Sequence, residues 1–249
     1  MFSKQSYGGG FMSNISSLML QIAYTPRADS NARGYEDWLR EIDMPFFNSV
    51  DGILHYSNWK IIDSPVGTCP FTHFDLMFLD PDGGYDKVFG NPEVDNFAAG
   101  WNDSWGTNPE GNFADSGVEI YRCSVIAEPS ITTRTKHVAF ITNTPRSDAH
   151  DRGYDTWLRE VDNPFLNSIP AILSYTNWRV EEAEVGTIRY TDYDLMDIAG
   201  PEGWDEMVSD DAMREFALGW IKEWGATPDG DMDENFQVNI AEVIATPDA

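Results

Sequence analysis

Tyr35-Glu36-Asp37-Trp38-Leu39-Arg40-Glu41 and Tyr154-Asp155-Thr156-Trp157-Leu158-Arg159-Glu160 are one phrase written twice, 119 residues apart. The same offset carries Pro45-Phe46-Phe47-Asn48-Ser49 onto Pro164-Phe165-Leu166-Asn167-Ser168, and Tyr56-Ser57-Asn58-Trp59 onto Tyr175-Thr176-Asn177-Trp178. Asp75-Leu76-Met77 returns as Asp194-Leu195-Met196, and the pair Gly100-Trp101 and Trp105-Gly106 as Gly219-Trp220 and Trp224-Gly225. A period of this length is too long for a solenoid, so the chain is a duplicated unit. The sequence divides into a flexible tail over 1–14, where Gly8-Gly9-Gly10 lies, a first repeat over 15–130 and a second over 131–249.

Within each copy the order of elements is legible. Residues 18–25 form an apolar, β-capable run closed by Pro26. Tyr35, Trp38, Leu39 and Ile42 fall at helical spacing, which predicts a helix over 32–50, bent or ended in part by Pro45. Strands follow over 53–62 and 71–79, a second helix around Phe97, Gly100, Trp101 and Ser104, and a fourth strand over 118–127. The second copy repeats the strands near 137–143, 171–181, 188–198 and 236–245. The expected class is α+β: two ferredoxin-like βαββαβ repeats. Each such sheet covers one face with helices and leaves the other open. Packed sheet to sheet, the two copies make an intrachain α+β barrel with a pocket between the sheets.

The segment Tyr154 to Trp178, with its partner Tyr35 to Trp59, resembles the REDY-like proteins of prodigiosin-type pigment pathways, and the arrangement resembles the dimeric α+β barrel superfamily with two domains fused. The resemblance covers most of both halves and implies the fold more specifically than the chemistry. The superfamily includes cofactor-free monooxygenases, polyketide cyclases, lactone isomerases and haem enzymes.

Composition narrows the partners. Forty-two acidic residues against 16 Lys plus Arg leave a net charge of -26, a surface that repels nucleic acid and anionic lipid. No apolar run approaches the length of a membrane span. Cys69 and Cys123 are the only cysteines, both in the first half, and read as small buried residues of a reducing, cytoplasmic compartment. The expected partner is a small-molecule substrate, and the expected assembly a monomer or homodimer.

Strand phase places the candidate chemistry. A hairpin turning at Pro65–Val66 sets Tyr56 opposite Asp75 and Asn58 opposite His73. One face then carries Tyr56, Asn58, Lys60, His73, Asp75 and Met77. The other carries Ile53, His55, Ser57, Trp59, Thr72, Phe74, Leu76 and Phe78. The second set is the more apolar and is expected against the helices, leaving the first to line the barrel. In the second copy the lining set is Tyr175, Asn177, Arg179, Asp192, Asp194 and Met196.

These groups can pair with one another as a packed polar core, or work. In the working version His73 is the general acid or base, Asp75 orients it, and Tyr56 and Tyr175 donate to a substrate oxygen. Asn58, Asn177, Asp194, Met77 and Met196 contact substrate. Trp59 and Trp178 join them if the register slips by one. His55 reads first as a packed histidine and is carried as a further contact. The remaining tryptophans recur at helical spacing and read as core.

His73 and Asp75 with Asp192 and Asp194 are the one set with metal-ligand chemistry, but its spacing is generic. Neither a phosphate-binding Gly loop nor a Cys–His nucleophile pair is present in the sequence, so no metal and no cofactor is expected. The expected function is cofactor-independent acid–base chemistry, an elimination, cyclisation or isomerisation of a small apolar, aromatic or polycyclic molecule. The alternatives are a cofactor-free monooxygenase of the same fold and a non-catalytic carrier.

Overall fold

The computed structural model describes residues 16–111, 113–129, 135–225 and 236–247; the expected tail over 1–14 and the boundary at 130/131 lie outside them. The first half runs β1 (Leu18–Tyr24), α1 (Tyr35–Trp38), α2 (Met44–Ser49), β2 (Ile53–Val66), β3 (His73–Leu79), α3 (Gly84–Phe89), α4 (Pro92–Trp105) and β4 (Glu119–Ala127). The second runs β5 (His137–Asn143), α5 (Tyr154–Trp157), α6 (Asn163–Leu166), β6 (Ile172–Val185), β7 (Asp192–Ile198), α7 (Glu202–Val208), α8 (Asp211–Trp224) and β8 (Gln237–Ala245). The short helices α3 and α7 have no counterpart in the periodicity reading.

The strands close one barrel in the order β1-β3-β2-β8-β5-β7-β6-β4. Two facing sheets would leave β2 and β6 with unpaired edges, an exposed ladder of amide and carbonyl groups. Here those edges pair across the duplication, β2 with β8 and β6 with β4, both antiparallel and both interrupted by bulges. This is why β2 and β6 run to Val66 and Val185, past the ends predicted from hydropathy. Beyond the bond from Ile61 N–H to the Thr72 carbonyl, β2 leaves its hairpin partner and continues as an arm against β8.

That arm also changes the hairpin register. Tyr56 pairs with Met77, Asn58 with Asp75 and Lys60 with His73, two residues away from the tight-turn expectation. A two-residue shift keeps side chains on their faces, so the groupings hold except at Ile53, which a bulge before His55 turns to the side of Tyr56 and Met77. Their destinations are exchanged. Trp59, Phe74, Leu76 and Phe78 enter a buried cluster to which all eight strands contribute, with Met19, Tyr121, Phe140, Trp178, Leu195 and Ala241 among its members. Phe74 stacks on Phe140 with centroids 5.1 Å apart, and Phe78 meets Trp178 edge-on at 5.8 Å. An eight-stranded barrel is just wide enough for its own side chains to fill. The larger, more apolar face therefore goes inside, and the polar face meets the helices. Trp59 and Trp178 are packed there, their indole N–H groups donating to Ser57 and Thr176 at 2.9 Å each.

The helical stretch is also not one regular helix. Between α1 and α2 lies a π turn, Leu39–Asp43, and between α5 and α6 its equal, Leu158–Asp162. Met44 N–H bonds to the Leu39 carbonyl and Asn163 N–H to that of Leu158, five residues back. Pro45 and Pro164 each follow by one residue. A proline ring crowds the carbonyl four residues before it, and a wider turn relieves the crowding. Past the turn, Asn48 clamps the helix to β2: its Oδ1 accepts from Tyr56 N–H at 2.9 Å, and its amide donates to the Tyr56 carbonyl at 3.0 Å. Asn167 does the same to Tyr175, at 2.9 and 3.1 Å. This accounts for the repeated Pro-Phe-x-Asn-Ser phrase.

Candidate functional site

The π turn aims an acid at the sheet. Tyr35, Leu39, Asp43 and Phe47 stand four residues apart in sequence, and all four are buried. Asp43 Oδ2 lies 2.9 Å from the Tyr56 hydroxyl and 2.8 Å from Asn58 Nδ2. On the other side of that hydroxyl, Asp75 Oδ2 is 2.8 Å away. Asp75 Oδ1 accepts from Asn58 Nδ2 at 2.9 Å and from the Tyr24 hydroxyl at 3.1 Å.

Counting donors against acceptors points to a shared proton. Asn58 spends its two amide hydrogens on the two carboxylates. Tyr56 has one hydrogen and stands at bonding distance from a carboxylate oxygen on each side. The second contact requires a proton on a carboxyl, so the pair holds one proton between them. Their environment agrees. Burial pushes Asp43 up to about 7, against the hydrogen bonds of Asn58 and Tyr56. Burial, and then the negative charge of Asp43, holds Asp75 well above the usual carboxylate range. The arrangement is two carboxyls, both raised by burial, with the Tyr56 phenol between them. Burial keeps Tyr24, Tyr35 and Tyr56 as neutral phenols.

Above this floor is a cavity of about 240 Å³, between the sheet and the helices rather than inside the barrel. Its walls include Phe47, Met77, Phe97 and Trp101, and Trp101 Nε1 donates to the Tyr35 hydroxyl at 2.9 Å. Phe46 and Phe97 stack at 4.0 Å behind it. The second half builds the same site: a cavity of about 250 Å³ over Asp162, Asp194 and Tyr175, walled by Met196, Phe216 and Trp220. Asn177 Nδ2 bridges Asp162 at 3.0 Å and Asp194 at 2.8 Å. Burial raises Asp162 to about 6, and burial with the Asp162 charge raises Asp194 well above its usual range. Each cavity borrows one residue across the duplication: Val185 of β6 lines the first, and Val66 of β2 the second.

Of the residues expected from sequence, Tyr56, Asp75 and Met77 meet at the first cavity, and Tyr175, Asp194 and Met196 at the second. Asn58 and Asn177 lie under the carboxylates. His73 does not pair with Asp75. Its Nδ1 lies 2.9 Å from Thr72 Oγ1, its buried Nε2 has no partner among the described residues, and its ring stacks on Tyr24 at 5.6 Å. Burial lowers it to about 4, a neutral imidazole at ordinary pH. His55 stands outside both cavities, its ring 6.1 Å from Phe78 and its Nε2 3.5 Å from Thr246 Oγ1.

Asp43 and Asp162 were missed. Their signal was an acid in the row Tyr35–Leu39–Asp43–Phe47, repeated as Tyr154–Leu158–Asp162–Leu166. The set His73, Asp75, Asp192 and Asp194 does not assemble, because each half turns its pair toward its own helices. Among the described residues no group of three or more His, Cys, Asp or Glu side chains converges as metal ligands. Cys69 and Cys123 are free, and burial raises their thiols to about 11 and about 12. Among the described residues no helix is long and apolar enough to cross a membrane.

Residues 137–230 match the family model of the REDY-like protein HapK. The phrase Tyr154 to Trp178 lies within this REDY-like match, and the first half repeats it at the same offset. No curated protein sequence matches the chain. Among solved structures, an anthrone oxidase-like protein superposes with a TM-score of 0.60 at 12% identity, over 92% of this chain and 91% of its own. A candidate monooxygenase from Lactobacillus acidophilus NCFM gives 0.61 at 10% identity, over 93% and 96%. One from Fusobacterium nucleatum subsp. nucleatum gives 0.58 at 9%, over 93% and 94%. At these identities the likeness is one of fold: an α+β barrel, closed here by a single chain.

Proposed function

We propose that the chain is an acid–base enzyme acting on small, largely apolar, aromatic or polycyclic molecules, with one site in each half. The observation that carries this is the Tyr56 hydroxyl standing between the Asp43 and Asp75 carboxyls, at the floor of an apolar cavity. A substrate C–H made acidic by a neighbouring carbonyl gives its proton to the Asp43 carboxylate. Its electron pair moves to the carbonyl oxygen. The neutral dyad then returns a proton, at the same carbon, at another for isomerisation, or to a leaving group for elimination. Tyr56 passes a proton between the carboxyls by giving one and taking one. Asp162, Tyr175 and Asp194 do the same in the second half, and Asn58 and Asn177 position the pairs. The proposed units are ferredoxin-like halves over 15–130 and 131–249, supported by the matching strand orders β4-β1-β3-β2 and β8-β5-β7-β6.

Deuterium exchange from solvent into the acidic C–H of an aromatic ketone such as anthrone tests this reading. Asp43→Asn and Asp162→Asn each remove one site, and together they lower exchange by about 10²–10⁴-fold. His73→Asn, outside both cavities, retains it. Full exchange in the folded double variant rules the reading out.

A second reading is a cofactor-free monooxygenase, supported by the names of the structural relatives. The same base makes the same carbanion, which then transfers electrons to dioxygen; one oxygen atom enters the product and the other leaves as water. Oxygen uptake in step with substrate loss selects it, and exchange without uptake rejects it.

A further inference from the structure

The two cavities are not copies where a ligand would notice. Asn143 stands 119 residues from Tyr24, and Arg214 the same distance from Asp95. In the first half the Tyr24 hydroxyl donates to Asp75 Oδ1 at 3.1 Å and closes that acceptor. In the second half the shorter Asn143 lines the cavity, and its buried Oδ1 has no hydrogen-bond partner among the described residues. Asn143 is 2% exposed, so water does not compensate it from bulk. Asp194, which lines the same cavity, is less deeply buried than Asp75. Helix α4 presents Asp95 to the first cavity, whereas α8 presents Arg214 to the second. Arg214 is 65% exposed, and its one ion pair among the described residues, with Asp211, is long at 3.4 Å, so its charge is available at the rim.

The geometry points to a division of labour: the second cavity takes an aromatic ligand that carries a hydroxyl at its inner end and an anionic group at its outer end. The ligand hydroxyl occupies the place of the Tyr24 phenol and donates to Asn143 Oδ1, while Arg214 meets the anion. The first cavity has its own phenol in that place and repels the anion with Asp95. It is left to neutral, apolar ligands. A buried acceptor without a donor is the feature by which a site reads a ligand hydroxyl.

This rests on the acid–base reading only for the cavities as ligand sites, and it is tested by binding rather than turnover. The probe is 6-hydroxy-2-naphthoate, whose two groups lie at opposite ends of a rigid ring system. Titration calorimetry is expected to give one site per chain. Replacing the hydroxyl by methoxy weakens binding about tenfold, the loss of one good hydrogen bond. Arg214→Asp, an exposed position that leaves the fold alone, weakens it severalfold. Tyr24→Asn with Asp95→Arg raises the stoichiometry from one to two.

Two equal sites in the wild type, equal binding of the methoxy probe, no binding, or a stoichiometry that stays at one in the folded Tyr24/Asp95 variant each overturns the assignment. A protein that binds as stated but shows no proton exchange fails the acid–base reading alone. One that exchanges protons yet offers two equal sites fails only this one.

Discussion

Asp43, at the end of a π turn, and Asp75, on β3, share one phenol: the Tyr56 hydroxyl is 2.9 Å from the first carboxylate and 2.8 Å from the second. Both acids are buried. Two charges at this separation in a buried site would repel strongly, and the pair avoids this by keeping a proton. The arrangement costs stability and keeps a base ready near neutral pH.

Tyr56→Phe removes the relay and leaves both carboxyls in place. Exchange in the first half is expected to fall about tenfold to a hundredfold, with Tyr175→Phe doing the same in the second. Ligand affinity should change little, because the phenyl ring still forms the floor. A kcat/KM loss carried by kcat, read against a direct binding titration, separates this from a packing defect.

The pH dependence follows from the sign of the Asp43 shift. Its folded value, about 7, lies above the ordinary 3.8, so folding favours the protonated acid. That stabilisation is complete below the unfolded value and is lost as pH rises through about 7. Asp162, at about 6, adds a loss of the same sign. His73, held near 4, acts oppositely, destabilising the fold as pH falls from about 6.5 toward 4. The difference in unfolding free energy between wild type and Asp43→Asn isolates the carboxyl, and is expected to move against the wild type between pH 4 and 7. The proton-abstraction rate should rise over the upper part of that window. A flat difference would contradict the protonated dyad.

Phe74→Ala tests the barrel interior. The ring is fully buried and stacks on Phe140 from the other half. Deleting it should cost about 3–5 kcal/mol in denaturant unfolding. Ligand binding by the remaining folded protein should be unaffected, since both cavities lie on the other face of the sheet. A cost below about 1 kcal/mol would mean that the interior is not a packed core.

Much of this was written in the chain. The 119-residue offset, the strand–helix order and the grouping of Tyr56, Asn58, His73, Asp75 and Met77 on one face all follow from repetition and from alternation with period two. So does the resemblance carried by Tyr154 to Trp178. Alternation says which residues share a face and is silent on where that face points when both are covered. Trp59 and Phe74 went into the barrel because a closed ring of eight strands has room for side chains and little else. Tyr56 and Asp75 were thereby turned to the helices. Asp43 was hidden for a related reason: its meeting with Asp75 depends on a π turn before Pro45 and on the Asn48 clamp, neither of which hydropathy weighs. The closure of each cavity by the other half's strand, through Val66 and Val185, has no local signal. It arises from edge strands seeking partners, and only the assembled tertiary structure decides which edges those are.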